Sequence, residues 1–193
     1  MRSFGSTPSP PPSGAVPLFL VLVGDDHPRA CTGRRLVRHG LVREFRARER
    51  GGPAPVLLDP YAPRPLSPAD APRAERAGIV AVDCSWNRLA DRGRLLPPAA
   101  PGSSPLARRR LPLLIATNPQ HYGRLAELNT VEALAAALAL TGRPREAERL
   151  LAGFRGSEQF LVVNAERLSA YRAATSAEEV RAAERRLFGG APA

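Results

Sequence analysis

The groups in this chain suited to chemistry lie where apolar runs end. They are Thr32, Leu58 with Pro60, Asp83 with Trp86, Leu111, and the stretch Leu128 to Ala133 with Thr130 inside it. One carboxylate, two hydroxyls, an indole face and apolar walls suit an adenosine-like ligand, whose flat base packs on Leu, Pro and Trp while main-chain groups read its edge. Two of these residues have an ordinary structural alternative: core packing for Trp86 and a turn cap for Asp83. Other chemistries lack their motifs. There is no GxSxG elbow, P-loop, GxGxxG or HExxH word, and the three histidines, His27, His39 and His121, have no local partner that would build a triad. Asp25, Asp26, His27 and Cys31 form a loose acidic cluster, but one His and one Cys lack the spacing of a closed metal site, so no metal is expected.

These groups need strands and helix starts to position them. Residues 16–24 (VPLFLVLVG) read as a first core strand, too short to span a membrane. Thr32 can N-cap a short helix that turns Leu36 and Val37 inward and Arg34, Arg35 and Arg38 outward. APVLLDP is a second strand, Ser67-Pro68 opens a helix ending near Gly78, and GIVAVDCSW is a third strand with Asp83 near its C-terminal end. Strand and helix alternation predicts an α/β sheet that binds ligands at its strand ends. Residues 93–110 lack any apolar period and read as a loop, whose Arg108, Arg109 and Arg110 would add to phosphate binding. LPLLIA (111–116) has the length and content of a buried strand. Asn129 with Glu132 is a capping box for an Ala-rich helix that stops at Thr141-Gly142. The rest of the chain is helical.

A length of 193 residues holds one domain or two small lobes, and the Pro/Ser/Gly-rich start (residues 1–15) is predicted to be a disordered tail. A net charge of +10, carried by arginine alone on the basic side, favours a polyanionic partner. Two cysteines, Cys31 and Cys84, are too few for a disulfide framework and read as small buried thiols in a reducing compartment. A cytoplasmic protein with no membrane partner is expected.

In combination, the words CTGRRL, LDP, IVAVDCSWNR, RRLPLLIATNPQHYG and LNTVEALAAAL, in this order, resemble the family of small-subunit rRNA aminocarboxypropyltransferases. These are ribosome-maturation enzymes related in fold to the knotted SPOUT methyltransferases, and the resemblance spans Val16 to Tyr171. It implies that S-adenosylmethionine (SAM) is the donor substrate and small-subunit rRNA or a pre-ribosomal particle the partner. The transferred group would be aminocarboxypropyl, the acceptor N3 of a pseudouridine, often already N1-methylated, and the by-product methylthioadenosine. Carried over by position, Thr32 would hold the SAM carboxylate, Leu58 and Pro60 would pack on adenine with Trp86 opposite, Val82 would offer its carbonyl to the ribose, and Leu111 its amide to the adenine edge. Ala126 stands where the family has a larger residue, although the contact there is a main-chain carbonyl. Leu128, Thr130 and Ala133 would close the pocket. Asp83 would orient the uracil or accept its proton, and the basic helix carrying Arg34, Arg35 and Arg38 would hold RNA. His121 departs from the NPxNYG word of the family, which has Asn there.

The resemblance also implies an α/β SPOUT-like lobe over residues 16–117 that binds cofactor and RNA. A helical lobe over 118–190 would close the pocket, with the connection threaded as a trefoil knot and the protein a monomer. Two other readings use the same features: methyl transfer from the same pocket, and a non-enzymatic rRNA-binding assembly factor.

Overall fold

Runs of Leu, Val and Ile with few polar interruptions form the central strands of a parallel sheet, whose near-continuous apolar content is typical of that arrangement. The computed structural model describes residues 14–22, 32–45, 53–83, 106–154 and 156–189. The metal cluster weighed at residues 25–31, Trp86, most of the tail and most of the 93–110 stretch lie outside them. Five strands, β1 (Leu18–Leu22), β2 (Arg43–Glu44), β3 (Val56–Leu58), β4 (Ile79–Asp83) and β5 (Ala107–Arg109), make one parallel sheet in the order β2-β1-β4-β3-β5. Helix α1 (Thr32–Arg38) lies between β1 and β2 in the chain, and α2 (Ala71–Ala77) between β3 and β4. A short 3-10 turn, Pro68–Asp70, leads into α2, and Gly78 (φ 88°) ends it. There the next strand begins at once, and a side chain on Gly78 would meet the Pro17 carbonyl at 2.4 Å.

The C-terminal part is helical: α3 (Thr130–Leu140), α4 (Pro144–Ala152), α5 (Phe160–Val163), α6 (Ala165–Arg172) and α7 (Ala177–Phe188). The predicted capping box opens α3: Asn129 accepts from the Glu132 amide at 2.9 Å while Glu132 accepts from the Asn129 amide at 3.0 Å. Gly142, at φ 82°, follows its end as expected. Helix α3 is apolar all round and buried from Leu134 to Leu140, the pattern of a central helix. It packs on α4, β4, α1 and α6, so sheet and helices share one hydrophobic core.

Two expectations are corrected. The fifth strand is Ala107–Arg109, inside the stretch predicted to be a loop, and Leu111–Ala116 is not a strand of the sheet. The 107–109 segment looked unlike a strand because two of its three residues are Arg. Their charges are met by neighbours: Arg108 binds Asp59 at 2.7 Å and Arg109 binds Asp70 at 2.9 Å. The 111–116 segment is half buried, but side chains of the helical part bond its backbone where a strand would. Leu113 N–H donates to Glu184 (2.9 Å), Ile115 N–H donates to Asn164 Oδ1 (2.8 Å), and Asn164 Nδ2 donates back to the Ile115 carbonyl (2.9 Å). Thr117 N–H donates to Glu132 (2.7 Å). Buried backbone groups must be paired, and here amide and carboxylate side chains do it.

Tyr171, fully buried, donates its hydroxyl to the Leu113 carbonyl at 3.0 Å. Burial, with Glu184 nearby, pushes its phenol well above the ordinary value of 10. The folded chain therefore keeps a proton that the unfolded chain releases. This contribution is complete below about pH 10 and is lost as pH rises further. Tyr171→Phe is expected to lower stability by about 1 kcal/mol at neutral pH. It should also flatten the decline in urea midpoint between about pH 10 and 11. An unchanged alkaline slope would show that other groups set it.

Candidate active site

The strand order determines where a ligand fits. From β1 the chain turns towards β2, and from β4 it turns the opposite way, towards β5, so the adjacent strands β1 and β4 flank a topological switch point. Their last residues, Leu22 and Asp83, are register partners. Open parallel sheets bind ligands in the crevice beyond the carboxyl ends of such strands, and Asp83 stands at its mouth.

Two helix starts converge on Asp83. Thr130, the first residue of α3, donates its hydroxyl to Asp83 Oδ1 at 2.5 Å. Gly33, in the first turn of α1, lies so close that a β-carbon on it would fall 2.3 Å from Asp83 Oδ2 and 2.6 Å from Leu20 Cδ2. Glycine is required there by close approach, independent of backbone angle. Thr32 precedes it and is half buried. Sequence reasoning placed Thr32, Asp83 and Thr130 near one ligand; the fold joins Asp83 to Thr130, and Thr32 is the chain neighbour of the Gly33 that abuts Asp83. It did not single out Gly33, whose signal was a glycine inside a predicted helix that no turn needed.

The apolar predictions lie along the same sheet edge. Leu58 ends β3, is buried, and is in register with Arg109 of β5, with Pro60 exposed two residues later. Val82 is in register with Val21, and Leu111 is half buried just past β5. Leu128 is buried and Ala133 half buried on either side of Thr130. Ala126 is exposed and adopts φ 65°, the sole non-glycine positive φ among the described residues. Its amide bonds the Leu114 carbonyl at 2.9 Å, which holds that strained turn in place.

The basic residues divide. On α1, Arg34 and Arg38 are exposed, but Arg35 is not turned outward as expected: its guanidinium lies 4.9 Å from the Phe154 ring centroid, a cation–π contact. Of the Arg108–Arg110 run, expected to bind phosphate, Arg109 and Arg110 are committed internally, while Arg108 pairs with Asp59 and keeps 54% of its side chain exposed. Arg110 makes a bidentate pair with the buried Glu184, both bonds 2.7 Å, and Arg109 and Arg110 are largely buried. Among the described residues no cluster could hold a metal ion, and no helix is long and apolar enough to cross a membrane.

Glu132 is the residue sequence reasoning undervalued. Fully buried, it does more than cap α3. One oxygen accepts from Thr117 N–H (2.7 Å) and Thr117 Oγ1 (2.8 Å), the other from Asn118 Nδ2 (2.7 Å) and Asn129 N–H (3.0 Å). It thereby ties the 117–118 segment to the helix start that holds Asp83.

The fold and site thus define a class: a parallel α/β protein with a carboxylate and two helix starts at its switch point, a geometry for nucleotide-like ligands. The model of the family "Ribosome biogenesis protein, C-terminal" matches residues 56–188. The 16S rRNA aminocarboxypropyltransferases of Methanosarcina acetivorans (37% identity, 89% of this chain, 94% of that one) and Methanopyrus kandleri (44%, 90% and 99%) are similar over nearly their whole lengths. The structure of the SAM-dependent rRNA:acp-transferase Tsr3 from Vulcanisaeta distributa superposes with a TM-score of 0.76 at 34% identity, covering 91% of this chain and 90% of that one. The chain belongs to the rRNA aminocarboxypropyltransferase family.

Proposed function

We propose that this protein transfers the 3-amino-3-carboxypropyl group of SAM to small-subunit rRNA. The observation that carries the reading is family membership along nearly the whole chain, together with Thr130 and the Gly33 turn of α1 meeting Asp83 at the switch point. The acceptor is N3 of a pseudouridine, with or without a methyl group on N1, and the chain acts as a cytoplasmic monomer. The residues present fit the donor: apolar Leu58, Pro60, Leu111 and Leu128 for a base, hydroxyls and a helix start for an amino-acid end. SAM supplies the activated carbon, because its sulfonium leaves as a neutral thioether. N3 bonds to the γ-carbon, the carbon–sulfur bond breaks, its electron pair stays on sulfur, and methylthioadenosine departs.

Thr32 holds the carboxylate of the donor, and Leu58 and Pro60 pack on adenine with Trp86. Val82 and Ala126 offer carbonyls, Leu111 an amide, and Leu128 and Ala133 line the pocket. Asp83, held by Thr130, orients the uracil or accepts the N3 proton, which otherwise passes to water. Much of the rate comes from placing N3 in line with the γ-carbon. Arg34 and Arg38 contact RNA phosphates, while Arg35 braces α1 against Phe154. The same reading treats residues 16–117 as the lobe for cofactor and RNA and 118–190 as the lobe that closes the pocket, in a SPOUT-like knotted thread.

Mass spectrometry of the small-molecule product, after incubating the protein with SAM and small-subunit rRNA, tests this. Methylthioadenosine is expected; S-adenosylhomocysteine would mean methyl transfer, and neither product without SAM binding would leave an assembly factor. Asp83→Asn is expected to reduce transfer with SAM affinity retained, and full activity would remove the proton-accepting role.

A further inference from the structure

The loop before α3 carries a feature the transfer chemistry does not use. Tyr122 is 66% exposed, the most exposed tyrosine in the described residues, and Arg124, two residues on, has 62% of its side chain exposed. The loop that presents them is held from many sides. Gly123 N–H bonds the Ala116 carbonyl (2.8 Å), Ala116 N–H the Arg124 carbonyl (2.9 Å), and Ala126 N–H the Leu114 carbonyl (2.9 Å). Asn118 Oδ1 accepts from His121 N–H (3.1 Å), and Glu127 pairs with both His121 and Arg124. Although desolvation opposes it, bonding to His121 and Arg124 holds the Glu127 carboxyl below its usual range. A ring on such a frame remains exposed because the backbone beneath it has no freedom to fold it inward. The frame also continues into the site: Thr117 and Asn118 are tied to Glu132, two residues from the Thr130 that binds Asp83.

We propose that Tyr122 is a stacking platform for an unpaired base of the rRNA beside the modified nucleotide, with Arg124 lying toward the adjoining phosphate. Sequence-specific RNA contacts favour unstacked bases laid on aromatic rings, and the excess of +10 charge suits the polyanion that carries them. This inference rests on the rRNA reading above and names a surface of the same site.

The test uses the full chain, deproteinised small-subunit rRNA and radiolabelled SAM, with filter binding of the same rRNA alongside. Tyr122→Ala is expected to weaken rRNA binding and raise its KM by roughly 5- to 100-fold, the worth of one stacked base, with SAM affinity by calorimetry as the check on folding. Tyr122→Phe keeps the ring and should restore binding. An alanine variant that binds rRNA as tightly as the wild type overturns the proposal, and so does a phenylalanine variant as weak as alanine, since the hydroxyl would then be the contact. If the wild type binds rRNA without transferring label, the transfer reading fails while the binding ratio still decides Tyr122. A wild type that does neither overturns both.

Discussion

Glu132→Ala is expected to lower the stability of the protein by about 3–5 kcal/mol. Four donors, the Thr117 and Asn129 amides, the Thr117 hydroxyl and the Asn118 side-chain amide, share its two oxygens at 2.7–3.0 Å in a fully buried setting. Each buried donor left without an acceptor costs about 1–3 kcal/mol. Water entering the space left by the side chain offsets part of that sum. The loss is a large share of the roughly 5–15 kcal/mol that holds a domain of this kind together. Urea unfolding followed by far-UV circular dichroism measures it. Glu132→Gln, which keeps the shape but turns one acceptor into a donor facing donors, should fall between the wild type and alanine. A loss below about 1 kcal/mol for alanine would mean that the four donors find other partners.

Gly33→Ala is expected to have the opposite profile, with little change in stability and a large loss of activity. Its β-carbon would lie 2.3 Å from Asp83 Oδ2 and 2.6 Å from both Asp83 Cγ and Leu20 Cδ2, so the carboxylate, the start of α1 or both must move. Alanine gains about 1 kcal/mol of helix propensity, set against about 1–3 kcal/mol of overpacking. The net effect on stability stays within about 2 kcal/mol. A displacement near 1 Å at a reacting centre costs about 100-fold in rate, and transfer should fall by at least that. Thermal denaturation together with kcat/KM for transfer separates the two effects. Activity within about threefold of the wild type would show that Asp83 need not hold its observed position. Both variants act on the same point from different sides: Glu132 sets the start of α3, Gly33 admits α1, and Asp83 lies between them.

Much of this was legible in the sequence because the signals were local. The apolar runs of β1, β3 and β4, the Asn129–Glu132 cap, the stop at Gly142, the helix start at Thr32 and the strand-end placement of Leu58 and Asp83 each depend on neighbours within a few residues. Periodicity and capping are rules of that range. So are the quoted words, from CTGRRL to LNTVEALAAAL, that mark the family.

The tertiary structure decided what depends on partners far along the chain. Arg108 and Arg109 form a strand because Asp59 and Asp70 neutralise them across gaps of 49 and 39 residues. LPLLIA lies outside the sheet because Glu184 of α7 and Asn164, at the junction of α5 and α6, bond its backbone from 71 and 49 residues away. Arg35 is drawn from solvent by Phe154, and Gly33 is required only because Asp83 comes to rest beside it. By itself the sequence determined the family, the strands β1, β3 and β4 with the residues at their ends, and the capped start of α3. Which charges are spent inside the protein, and which remain for RNA, depended on pairings that exist only once the chain is folded, because a buried charge takes whichever partner the fold brings within reach.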